Sequence, residues 1–169
     1  MLSNFSRRFL RVGQKVPKSK AVLVVKKDGK FQIDKDADVA RLLERKKAVI
    51  IGYPGAFTPV CTSRHLPGFI NMLTEFHNKG CDVYALSIND PWVVKAYAES
   101  LGGELKYIAD AVGDLTQLIE GGFDFGDELG YRTRRFSVVI ENGEIKEIND
   151  EQGGELTDKA TAENTIKQV

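Results

Sequence analysis

Two short apolar runs, at 48–51 and 82–88, are each bounded by turn residues and followed by a segment of helical periodicity. Such runs read as buried strands. After the first, Leu66, Phe69, Ile70, Leu73 and Phe76 recur at spacings of three and four. That stripe predicts one helix from 61 to 79, closed by Gly80. After the second, Asn89, Asp90 and Pro91 cap a helix running to about 101. A third strand at 105–108 and a brief helix at 115–119 follow. Strands alternating with helices predict a three-layer α/β domain with helices on both faces of a sheet. A small hairpin is expected to turn at Asp28 and Gly29, and a terminal hairpin turning at Asn142 and Gly143 adds an antiparallel part, so the central sheet should be mixed. Short helices are expected at 36–46 and from about 160 onward, and 121–126 reads as a Gly-rich, Phe-bearing loop.

At 169 residues the chain is most simply one domain, long enough to bury a core without disulfides. Two cysteines form no disulfide framework, which points to a reducing compartment or a redox-active thiol. No apolar run approaches the ~20 residues of a membrane span. The balanced charge conceals an asymmetry: residues 1–27 hold eight Lys or Arg and no acid, leaving the remainder at −8. An acidic body of this kind gives no support to a nucleic-acid role. The division expected is a basic arm over 1–14 and a domain over 15–169. The first twelve residues are amphipathic, acid-free and Arg-bearing, like an organellar transit peptide. Mitochondrial or other organellar targeting is one reading of them. A plain basic arm on a cytoplasmic protein is the other.

The chemistry centres on Cys61. It falls in the first turn of the helix that leaves the carboxyl end of a central strand, where ligand sites of such sheets lie. Unpaired N–H groups and the positive end of the helix dipole favour an anion there, a setting that turns a thiol into a nucleophile. The Thr58 hydroxyl stands three residues earlier and can donate to an incoming atom or to the sulfur. The amides of Val60 and Cys61 are free at the helix start. A cation would complete the site, and Arg134 and Arg135 are the candidates; neighbours in an extended segment point opposite ways, so one of them is expected to face the thiol.

The run Pro54-Gly55-Ala56-Phe57-Thr58-Pro59-Val60-Cys61-Thr62 resembles the active-site motif of the peroxiredoxins, most closely the type-5 (type-II) subgroup. The resemblance extends over roughly 15–169, through His65-Leu66-Pro67-Gly68-Phe69, Leu86-Ser87-Ile88-Asn89-Asp90-Pro91, Tyr107-Ile108-Ala109-Asp110 and Arg135-Phe136-Ser137-Val138-Val139. It implies a thioredoxin-like fold and reduction of hydrogen peroxide or alkyl hydroperoxides without metal or organic cofactor. By the same resemblance Cys61 is the thiol that becomes a sulfenic acid. Thr58 orients thiolate and peroxide, Pro54 shields the pocket, and Arg135 stabilises thiolate and transition state. Arg134, one residue out of register, is expected to be a solvated surface charge. His65 is either a donor at the pocket edge or a first-turn histidine satisfied locally. A homodimer is also implied, and the Gly-rich loop and Leu129 should wall the pocket unless Phe123 and Phe125 serve the core or a subunit contact.

The chain departs from many relatives in its second cysteine. Animal-type relatives carry a resolving cysteine where this chain has Asp158, and plant-type relatives carry one where it has Ala85. Cys81 lies four residues before the latter position, about 13 Å along a strand, whereas a disulfide requires Cα atoms within about 7 Å. A one-cysteine cycle is expected, recycled by glutathione with glutaredoxin or by a thioredoxin-type protein. The rivals are a thiol switch that reacts with peroxide without turning over, and a metal site on Cys61 and His65. The metal site is short of ligands. A cysteine phosphatase is excluded because its Cys-x5-Arg loop would need an arginine six residues after Cys61, where this chain has Pro67.

Overall fold

The computed structural model describes residues 10–169. The transit-peptide reading of the first residues therefore falls largely outside the described residues. From Leu10 onward the basic segment is packed on the domain: Leu10 is buried, and Gly13, Gln14 and Val16 exchange backbone bonds with residues 143 and 145.

Seven strands form one sheet in the order β2-β1-β5-β4-β3-β8-β9. They are β1 (Val22–Lys27), β2 (Lys30–Asp34), β3 (Lys47–Gly52), β4 (Cys81–Ser87), β5 (Lys106–Ala109), β8 (Phe136–Glu141) and β9 (Glu144–Asp150). The β3–β4 and β4–β5 pairs are parallel and the others antiparallel, so the sheet is mixed, as the terminal hairpin leads one to expect, and the small hairpin β1–β2 joins the same sheet through β5. The alternation of side chains along each strand splits the core in two. On one face Val49, Ile51, Val83, Ala85 and Tyr107 meet Leu66 and Phe69 of α2 (Leu66–Asn71), Leu73 and Phe76 of α3 (Leu73–Asn78), and Val94, Tyr97 and Ala98 of α4 (Pro91–Leu101). On the other, Ile50, Tyr84, Leu86 and Ile108 meet Val39 and Leu43 of α1 (Val39–Leu43) and Leu115 of α5 (Asp114–Leu118). The expected α/β sandwich, with helices on both faces, is the fold found.

Three local expectations are corrected. The helix expected over 61–79 is three pieces: a π-helical turn at Cys61–His65, then α2, then α3 after a break at Met72. Pro67 accounts for the first departure. It has no N–H to give the carbonyl four residues back, and its ring collides there. The turn widens instead, with the Leu66 amide donating to the Cys61 carbonyl five residues earlier. The Gly-rich loop is partly a ribbon, β6 (Gly122–Asp124) pairing with β7 (Tyr131–Thr133). Tyr131 lies in the space a side chain at Gly122 would take. The terminal helix is shorter than expected, α6 (Ala162–Thr165) continuing only as a 3₁₀ turn.

One glycine sets the spacing of the site. Gly52 ends β3 opposite Phe136, and a Cβ there would sit inside the Phe136 ring. Its absence lets the strand that leads to Cys61 lie against the strand entered by Arg135. Gly52→Ala should therefore lower stability by about 1–3 kcal/mol in urea unfolding. A loss below about 0.5 kcal/mol would show that Phe136 moves aside freely.

Candidate active site

The loop from Tyr53 to Thr58 is fixed by its backbone. Its Tyr53 amide bonds the Leu86 carbonyl, and the Ala56 amide bonds Asn89 Oδ1 at 3.0 Å. Phe57 is held at φ 63°, a left-handed conformation costly for a bulky residue and concentrated at functional sites. The exposed Phe57 ring packs on Tyr97, with centroids 5.0 Å apart. Thr58 follows at the turn into the helical segment. The first helical backbone bond runs from the Thr62 amide to the Thr58 carbonyl, so Val60 and Cys61 precede it.

Cys61 has no solvent-exposed surface. Facing it is Arg135, 2% exposed, with a hydrogen bond from each guanidinium nitrogen and from its amide. Nη2 donates to Cys61 Sγ at 3.3 Å, Nη1 meets His65 Nδ1 at 2.8 Å, and Nε donates to the Gly154 carbonyl at 2.8 Å. The Arg135 amide donates to Gly153 O, also at 2.8 Å. Guanidinium only donates, so His65 Nδ1 is an acceptor and its proton sits on Nε2. That proton goes to the Ala160 carbonyl at 2.9 Å. Burial, with the Arg135 charge beside it, lowers the His65 pKa to about 3. The ring is therefore neutral wherever the protein works.

Of the residues singled out from sequence, Cys61, His65 and Arg135 meet in one cluster. Thr58 lies on the adjoining loop, and its hydroxyl, expected to donate to the sulfur or an incoming atom, instead gives its proton to the Gly55 carbonyl at 2.7 Å, which leaves it lone pairs and no donor. Pro54 is buried in that loop and Val60 is half-buried at the start of the turn. His65 is satisfied, but by partners 70 and 95 residues distant instead of locally. With both nitrogens committed, it has no lone pair left for a metal beside Cys61. Among the described residues no group of three or more His, Cys, Asp or Glu is arranged to hold an ion.

The expectation for Arg134 is overturned. It is 3% exposed and forms a bidentate pair with Asp150, Nε at 2.9 Å and Nη2 at 2.7 Å, with Nη1 on the Gly122 carbonyl. The pair ties the β6 ribbon to the end of β9. Its partner is sixteen residues away, so no local pattern announces it.

Cys81 opens β4 at the register of Lys47, whereas Cys61 follows Gly52 at the other end of β3. Five strand residues lie between, about 17 Å. Cys81 is buried, and burial raises its pKa to about 11. It is neither near Cys61 nor ready to ionise.

The Redoxin family matches residues 11–166, nearly the whole domain. The chain is 37% identical to peroxiredoxin-2E-2, chloroplastic, of Oryza sativa over 95% of its own length and 72% of the relative's. It is 40% identical to peroxiredoxin-2D of Arabidopsis thaliana, over 73% of this chain and 78% of that one. This chain belongs to the peroxiredoxins. Among solved structures, reduced Prx3 of Vibrio vulnificus in complex with hydrogen peroxide superposes with a TM-score of 0.81 at 28% identity, covering 95% of this chain and 99% of that one. The peroxiredoxin described here is accordingly a thiol peroxidase with a thioredoxin-like fold, and its named relatives accord with the type-II subgroup.

Proposed function

We propose that this peroxiredoxin reduces hydrogen peroxide and small alkyl hydroperoxides at Cys61 and is recycled by an external thiol. The observation that carries the reading is the Arg135 guanidinium directed at a buried sulfur. The Cys61 thiolate attacks the terminal peroxide oxygen. The S–O bond forms as the O–O bond breaks, sulfur is oxidised to a sulfenic acid, and the departing oxygen takes a proton to leave as water or an alcohol. Arg135 stabilises the negative charge as it passes from sulfur to the leaving oxygen, in a site shielded from bulk water. The lone pairs of Thr58 receive the peroxide's O–H and aim it, the amides of Val60 and Cys61 point at the incoming oxygens, and Pro54 closes the wall. His65 does not touch substrate; it holds Arg135.

The position of Cys81 favours a one-cysteine cycle. A first external thiol condenses with the sulfenic acid, releasing water and forming a mixed disulfide, and a second thiol exchanges to free Cys61. Glutathione with glutaredoxin is the donor proposed, with a thioredoxin-type protein as the other. We place the working protein in a homodimer, and the basic N-terminal segment, with a relative named as chloroplastic, makes an organelle its proposed site.

The test is steady-state peroxide consumption by wild type and Cys81→Ser, with each donor in turn. Cys81→Ser should turn over within about twofold of wild type, since a buried cysteine distant from the chemistry contributes only packing. Failure to recycle would mean that the two sulfurs meet and the distance argument is wrong. Consumption of a single equivalent with every donor would replace the enzyme cycle by a thiol switch.

A further inference from the structure

We propose that Glu151 is a positioning residue for the Cys61 reaction, pinning the segment whose Ala160 carbonyl holds His65 and, through it, Arg135. The inference rests on Cys61 being the thiol that meets peroxide.

The argument is a closed circuit of hydrogen bonds. From sulfur it passes to Arg135 Nη2 at 3.3 Å, from Arg135 Nη1 to His65 Nδ1 at 2.8 Å, and from His65 Nε2 to the Ala160 carbonyl at 2.9 Å. The amide of the same Ala160 donates to Glu151 Oε1 at 3.0 Å. The Glu151 amide then donates to the Arg135 carbonyl at 3.0 Å, which closes the circuit on Arg135, with the sulfur bonded to it. Both ends of the Arg135 residue, backbone and guanidinium, are thus referred to the Glu151 residue.

Residues 151–161 belong to no strand or helix, so their shape depends on side chains. The Glu151 carboxylate gathers three donors there: the Thr157 amide at 3.1 Å, the Thr157 hydroxyl at 2.7 Å and the Ala160 amide. No cation pairs with it among the salt bridges of the described residues. Its acceptor capacity is spent on the loop. The neighbouring acid does different work, since the Asp150 carboxylate pairs with Arg134. Two successive acids therefore secure two successive arginines, one by charge and the other by fixing a carbonyl two bonds away. Release of the Glu151 carboxylate lets Ala160 drift, and His65 loses the acceptor that sets its tautomer. Nδ1 is then no longer obliged to face Arg135. A displacement of about 1 Å at a reacting group can cost up to a hundredfold in rate.

The experiment compares the rate constant of reduced protein with hydrogen peroxide for wild type, Glu151→Ala and Glu151→Gln, with thermal midpoints measured alongside. The alanine variant should react about tenfold more slowly while folded. Glutamine keeps an acceptor for both amides and can donate to the Thr157 hydroxyl, so it should restore the rate to within about twofold. Glu151→Ala is also introduced into Arg135→Ala, where it should cost no further rate because its route runs through Arg135. A folded Glu151→Ala variant with the wild-type rate overturns the proposal. So do losses that multiply in the double variant, or a glutamine variant as slow as alanine. Cys61→Ser run in parallel separates the two readings: if it stays active, the assignment of Cys61 fails, and if it is inactive while Glu151→Ala is unimpaired, only the positioning role fails.

Discussion

Arg135→Ala should slow the reaction of reduced protein with hydrogen peroxide by about a hundred- to a thousandfold, the usual loss when one preorganised donor to a developing charge is removed. The size follows from the setting. Cys61 has no exposed surface, so water cannot replace the missing cation. Arg135→Lys should recover little. A single ammonium cannot span Sγ, His65 Nδ1 and the Gly154 carbonyl, which the planar guanidinium reaches together. Stopped-flow kinetics against the Cys61→Ser floor, with circular dichroism to confirm folding, gives the answer. A folded Arg135→Ala variant within threefold of wild type would reduce the residue to a structural tie.

The second large effect is on acid stability. His65 has a pKa of about 3 in the folded protein, lowered first by burial and then by Arg135, against about 6.5 in an unfolded chain. Between those values the unfolded chain binds a proton that the folded chain refuses. Its contribution is therefore complete above pH 6.5 and is lost as pH falls toward 3. At about 1.4 kcal/mol per unit, this one ring should remove roughly 2–3 kcal/mol between pH 7 and 4.5. Carboxylates titrate over the same window, so the readout is a difference. His65→Gln, which cannot titrate but can still bond both neighbours, should lose correspondingly less than wild type over that interval in urea unfolding. Parallel slopes for the two proteins would mean that the folded state accepts the proton and that the neutral assignment is wrong.

Much of this molecule was legible in its sequence because its signals are local. Short apolar runs gave the buried strands, spacings of three and four gave the helices packed on them, and Asp28, Gly29, Asn142 and Gly143 marked the hairpins. The spacing of Pro54, Thr58 and Cys61 marked the site. What escaped depends on partners remote in the chain. Arg134 looks like any surface arginine until Asp150 is folded against it. His65 gives no sign of its link to Ala160, 95 residues on. Pro67 was a visible signal for the widened turn, but the apolar stripe continues across it and conceals the break. Gly122 reads as part of a Gly-rich loop, whereas it sits in a paired strand and makes room for the Tyr131 ring.

The sulfur and its bonded neighbours come from residues 61, 65, 135 and 160, brought together only when β3 and β8 are paired and the segment beyond β9 is in place. A chain emerging from synthesis therefore lacks this cluster until the segment that carries Ala160 has docked. On the role proposed for Cys61, fast reaction with peroxide is then acquired only with the completed fold, and half-made copies do not share it.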